Sequence, residues 1–125
     1  MTEPKVGDYL FTYGTLRPGC RAYGMIQGGT ELLGRSTLPQ AALYSLGGFP
    51  GLKLGRDSTV IGALLEVTDA SVFTTLDRYE GHPEFYTREL LETMDGPAWV
   101  YVYQGDVKED SRIMSGDWIN RGSTA

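Results

Sequence analysis

The chain has one cysteine, Cys20, and one histidine, His82, among its 125 residues. That scarcity excludes an internal disulfide, a cysteine-based zinc site and any metal motif built on paired histidines, so no metal and no cofactor is expected. No apolar run approaches the roughly 20 residues of a membrane helix, and the N-terminus has no signal-like apolar segment. The expected location is therefore cytoplasmic, with no membrane partner. Positive charge is also in short supply: 11 Lys and Arg against 16 Asp and Glu give −5. With no basic stripe for phosphates, nucleic acid is not an expected partner, and no protein partner is readable.

Several catalytic frames are absent as well. Gly14 and Gly19 bracket GTLRPG in P-loop spacing, but Cys20 and Arg21 follow where Lys and Ser/Thr would be needed. No two glycines are spaced G-x-G, and there is no G-x-S-x-G elbow. A Cys20–His82 thiol dyad is outweighed by a plain loop cysteine and a solvent-facing histidine beside Pro83.

What the chain does have is 17 glycines and 8 tyrosines. They point to short strands, many turns and a tyrosine-rich interior or pocket. The length fits one domain over 1–125, with its core at about 8–118. Alternation predicts strands in YLFTYG (9–14), AALYSL (41–46) and TVIGALLEV (59–67), the last buried on both faces. Residues 17–34, with Pro18 and five glycines, read as loop, and 47–55 as turn-rich. TDASVFTTLDRYEG predicts one helix, capped by Thr68 or Asp69, with Val72, Phe73, Leu76 and Tyr79 on one face and Gly81 as its stop. Residues 85–94 and 98–103 flank Asp95-Gly96 as a hairpin, and order is expected only as far as Trp118. The sum is an α+β protein with a mostly antiparallel sheet that periodicity alone does not close.

Two stretches invite chemistry. An apolar strand that ends in Tyr13-Gly14-Thr15-Leu16, followed by Arg17-Pro18-Gly19, suits backbone N–H groups that approach a ligand closely. Glu80 lies at the helix C-terminus, where the macrodipole disfavours its charge, and an apolar, tyrosine-lined setting would raise its pKa further. The competing reading is a solvated Glu80 helped by Arg78 or Arg88, which this segment alone favours modestly. Asp77, three residues earlier, invites a two-carboxylate glycosidase, but such acids usually flank the sugar. Local bonding or an arginine partner suits Asp77 better.

YGTLRPG, YSLGGFPGLKLG, LDRYEGHPEFYTRE and AWVYVY…SGDW occur in that order from about Tyr9 to Trp118. In this the chain resembles the gamma-glutamylcyclotransferase-like family, in its compact bacterial and avirulence-induced-gene form, and is similar to gamma-glutamylamine cyclotransferase. The resemblance implies a small, mostly antiparallel β-barrel with flanking helices and one cavity. It implies that Tyr13, Gly14, Thr15 and Leu16 hold a glutamyl group, that Glu80 is catalytic, and that Tyr86, Phe49 and Pro50 border the cavity. Arg88 is either pocket or structural.

Two departures bear on the leaving group more than on the reaction. Gln40 and Ala41 follow LP where many relatives have glycine and tyrosine, and CRAYGM stands where asparagine or histidine is common. The implied reaction is intramolecular aminolysis of a small-molecule γ-glutamyl substrate, releasing 5-oxoproline and an amine. Because nucleophile and electrophile are tethered, no enzyme nucleophile or metal is needed. The alternative is a non-catalytic module that holds a small carboxylate in the same cavity.

Overall fold

The computed structural model describes residues 3–121. Six strands form one sheet: β1 (Tyr9–Thr12), β2 (Thr30–Ser45), β3 (Pro50–Val67), β4 (Tyr86–Thr93), β5 (Gly96–Tyr103) and β6 (Arg112–Ile113), in the order β4-β5-β1-β3-β2-β6. Every pairing is antiparallel except the contact of β1 with β5, where Leu10 faces Trp99. One α-helix, α1 (Ser71–Glu80), joins β3 to β4, and three 3₁₀ turns complete the regular structure. No helix among the described residues is long and apolar enough to cross a membrane.

The expected barrel is corrected to an open sheet. The sheet curls far enough for Met94 N–H to reach Thr37 O at 3.0 Å and Ser36 Oγ to reach Asp95 at 2.6 Å. No ladder joins β4 to β2 or β6, so the ends of the sheet stay unpaired with each other. The expected flanking helices reduce to α1 and the short 3₁₀ turns.

Two strands are much longer than expected. β2 begins at Thr30, inside the predicted loop, and β3 begins at Pro50, inside the predicted turn region. Irregularities in register between Leu32 and Gly34 and between Pro39 and Ala41 explain why alternation is hard to read there. A bulge tolerates a proline and reverses the side-chain pattern at that point. At the second bulge Gln40 adopts φ +58°, the only non-glycine among the described residues in that region. Left-handed backbone costs a non-glycine residue about 1 kcal/mol. Gln40→Gly is therefore expected to raise the unfolding midpoint in urea, by about 0.5–1 kcal/mol of stability.

Alternation sorts the core onto two sides of the sheet. Phe11, Val100 and Val102 pack on one side, with Leu43, Leu52 and Val60. Leu10, Trp99 and Tyr101 face the other, where they meet Val72, Phe73 and Leu76 of α1. Phe73 and Trp99 meet edge to face at 6.5 Å. A ten-residue helix is not stable alone, so this packing supplies its stability, about 1.5–3 kcal/mol per buried large side chain before entropy is charged. Asp69 Oδ1 accepts the Ser71 N–H at 3.0 Å, and Ala70 already has helical dihedrals, so Asp69 caps the helix in effect. The far end closes as expected on Gly81 at φ +68°, with His82 N–H donating to Asp77 O at 2.8 Å.

Candidate active site

The chain leaves β1 at Thr12 and folds straight into the Tyr13–Leu16 turn. Two of its carbonyls are used internally: Gly14 O accepts from Arg17 N–H at 3.0 Å, and Thr15 O accepts from Ala22 N–H at 3.0 Å. Its amides are not: among the described residues, the N–H groups of Gly14, Thr15 and Leu16 donate to no protein acceptor. Buried backbone donors are rarely left unpaired, so three in succession beside a cavity are chemically suited to an incoming acceptor.

That cavity holds about 650 Å³ and lies where the turn, the β2–β3 loop, the end of α1 and the start of β4 converge. Tyr13, Gly14, Thr15, Leu16, Phe49, Pro50, Glu80 and Tyr86 all border it, so every site residue expected from the sequence is brought to one place. Gly14 packs against Pro50 so closely that a Cβ there would sit 2.6 Å from Pro50 Cγ. Tyr86 OH donates to Pro50 O at 2.8 Å, and Tyr13 OH donates to Tyr101 O at 2.5 Å. Both phenols therefore brace the wall. Thr15 Oγ1 and Tyr79 OH share a hydrogen bond at 3.1 Å, which ties the turn to the last turn of α1.

Glu80 carries the electrostatic interest. Burial pushes its carboxyl from the ordinary range up to about 7, with no hydrogen bond or cation acting against the rise. Its proximity shows in the two tyrosines, which burial first and then the Glu80 charge push upward. An unpaired carboxyl near neutrality can both take and return a proton, whereas one held by arginine would stay ionised.

The neighbouring candidates separate cleanly from it. Asp77 accepts from Tyr101 OH at 2.6 Å and pairs with Arg88, so its carboxylate is engaged and a glycosidase pair with Glu80 is excluded. Arg88 does not border the cavity; it pairs with Asp77 and lies over the Trp99 ring at 5.6 Å. His82 Nδ1 accepts the Arg88 N–H at 3.1 Å, and neither His82 nor Cys20 borders the cavity. The SGDW stretch enters through Asp117, which pairs with Arg17 at 2.5 Å and pins the loop just after the turn. Arg21, Arg78, Tyr79, Phe85 and Tyr103 also border the cavity, and sequence reasoning gave none of them a place in the site. Two left a trace: Arg78 as a neighbour of a solvated Glu80, and Tyr79 on the helix face with Val72, Phe73 and Leu76, although the structure leaves Tyr79 41% exposed while it buries the other three.

A sequence model of the family described as gamma-glutamyl cyclotransferase, AIG2-like, matches residues 10–120. The chain belongs to this gamma-glutamyl cyclotransferase family. A Vibrio cholerae relative, provisionally named a gamma-glutamylcyclotransferase, is 40% identical over 113 residues, covering 90% of this chain and 96% of its own. The Escherichia coli gamma-glutamylcyclotransferase family protein YtfP is 36% identical over the same shares. The solution structure of the Escherichia coli ytfP protein superposes with a TM-score of 0.71 at 32% identity, covering 92% of this chain and 99% of that one. A mouse aig2-like protein has the same fold, with a TM-score of 0.71 at 22% identity over 86% and 83% of the two chains.

Proposed function

We propose that the chain is a gamma-glutamyl cyclotransferase that converts a γ-glutamyl amino acid or amine into 5-oxoproline and the free amine. The observation that carries this reading is the unpaired Glu80, poised near neutrality in the same cavity as the free Gly14–Leu16 amides. The substrate α-carboxylate sits on those amides, where no cation is needed to hold it. This grip fixes the glutamyl chain in a conformer that brings its α-nitrogen to its own γ-carbonyl, and tethered groups so aligned reach effective molarities of about 10⁵–10⁸ M.

Glu80 takes a proton from the α-ammonium. The freed amine attacks the γ-carbonyl, a C–N bond forms, and the carbonyl oxygen carries the negative charge of the tetrahedral intermediate. Protonated Glu80 gives this proton to the leaving nitrogen, and the ionised Glu80 then takes the second proton from the attacking nitrogen, which the new bond has left positively charged. The oxyanion collapses, the bond to the leaving nitrogen breaks, and Glu80 passes that second proton to the departing amine, which leaves as an ammonium ion. The products are 5-oxoproline and an amine, and Glu80 ends ionised as it began. No metal and no enzyme nucleophile enters the balance.

Incubation of the protein with a panel of γ-glutamyl amino acids and γ-glutamylamines, read by mass spectrometry, tests this directly. Release of 5-oxoproline together with an equal amount of free amine is expected from at least one member. Binding of these compounds without any turnover would favour a carboxylate-binding module instead.

A further inference from the structure

In the cavity, the exposed part of the lining differs chemically from the buried part, which bears on the leaving group. Its charged lining consists of Glu80, Arg21 and Arg78. Both arginines are exposed, and neither takes part in the three ion pairs among the described residues. Arg21 Nη2 donates to Gly48 O at 2.9 Å, which sets its guanidinium beside the loop that carries Phe49 and Pro50. Arg78 belongs to the last turn of α1 and borders the same cavity. Neither guanidinium forms an ion pair with Glu80 among the described residues, and both are open to water where Glu80 is partly buried. The two cations therefore belong to the mouth.

Three aromatic side chains border the same cavity while remaining open to water: Phe49 is 43% exposed, Tyr79 41% and Phe85 65%. Large apolar side chains left in water around a pocket are recognition surface more often than packing. Resting on the reading above, we infer that the leaving group is an α-amino acid with an apolar side chain, its free carboxylate paired with Arg21 and Arg78. The amides of the turn already satisfy the glutamyl α-carboxylate, so the guanidinium pair is left for a second carboxylate. A polyamine leaving group would bring positive charge against two arginines, and like charges at such a rim act as a filter. Arginine suits this place because its planar fork grips a carboxylate through two N–H donors.

The decisive pair of substrates is γ-glutamylphenylalanine and γ-glutamyl-2-phenylethylamine, which differ only in the leaving group's carboxylate. The wild type is expected to show kcat/KM roughly tenfold or more higher for the first, the size of one or two charge-assisted hydrogen bonds at a partly exposed site. The Arg21→Gln/Arg78→Gln double variant is expected to bring the two substrates to parity, whereas Arg35→Gln, an exposed arginine outside this cavity, leaves the preference intact. γ-Glutamylglycine is expected to fall severalfold below γ-glutamylphenylalanine, and equality there would overturn the aromatic part of the inference. Equal kcat/KM for the matched pair in the wild type would overturn the arginine part while leaving cyclisation standing. If neither compound yields 5-oxoproline, calorimetry separates the two ideas. Tighter binding of γ-glutamylphenylalanine that the double variant loses would support the rim and overturn the cyclisation; equal or absent binding would overturn both.

Discussion

Glu80→Gln is expected to lower kcat for 5-oxoproline release by about 10²–10⁴-fold, the usual worth of a positioned acid–base group. The same substitution is expected to make the protein more stable above neutrality. Burial raises the Glu80 pKa from 4.5 to about 7, so the folded protein holds a proton that the unfolded chain has already released between those values. Stability therefore falls as pH rises through that window, and the full cost is present above pH 7. Glutamine has the same shape and no charge to desolvate, so the variant escapes this cost. Urea unfolding is expected to give equal midpoints at pH 4 and a variant more stable by roughly 1–3 kcal/mol at pH 8, allowing for residual solvent at a half-buried group. A variant that is inactive and also less stable at both pH values would mean that Glu80 is a structural group. Gain of stability with loss of function is the pattern of a residue kept for its chemistry.

Gly14→Ala is expected to lower kcat/KM by about 100-fold. The added methyl would lie 2.6 Å from Pro50 Cγ and 2.9 Å from Pro50 Cδ, and no real Cβ tolerates such distances. The proline ring is rigid and its carbonyl is held by Tyr86, so the turn has to move rather than the ring. A shift of about 1 Å in the amides that orient a substrate costs about 10² in rate. The overpacking itself costs about 1–3 kcal/mol of stability. Gly24→Ala serves as the matched control, because a Cβ there meets nothing within 4 Å. Steady-state kinetics and urea unfolding of the two variants check both parts. Normal kcat/KM in Gly14→Ala would show that the turn does not position the substrate.

The site was more legible in the sequence than the sheet was. Tyr13–Leu16 is a local signal, a strand stopped by small residues, and the helix end at Gly81 is another; at Glu80 the segment alone favoured a solvated carboxylate, and only the resemblance implied a catalytic one. Such signals survive because neighbours in sequence decide them, and the cavity unites them. The β2–β3 hairpin is a long-range pairing whose strands contain Gly34, Pro39, Gly51 and Gly55, all of which read as breakers. Two bulges shift the alternation partway along, so no single period of 2 runs through β2. Closure of the sheet was expected from resemblance, and only the pairing of its end strands decides it; those ends do not pair. The described residues run past Trp118 to Arg121, whose side chain donates to Trp118 O at 2.7 Å and lies over its ring; the rest of the tail lies outside the described residues. Arg21 and Arg78 were invisible as site residues because an isolated surface arginine looks the same whether it faces a cavity or bulk water.

The central claim is that burial, rather than an ion pair, sets the Glu80 carboxyl near neutrality so that it can move the proton. The most direct measurement is a carbon-13 NMR titration of the Glu80 carboxyl, placed beside the pH dependence of kcat/KM for 5-oxoproline release by the wild type. The account predicts one shared midpoint near 7, with activity rising as Glu80 ionises. A carboxyl that titrates in the ordinary range near 4.5, or a rate that ignores its titration, would contradict it.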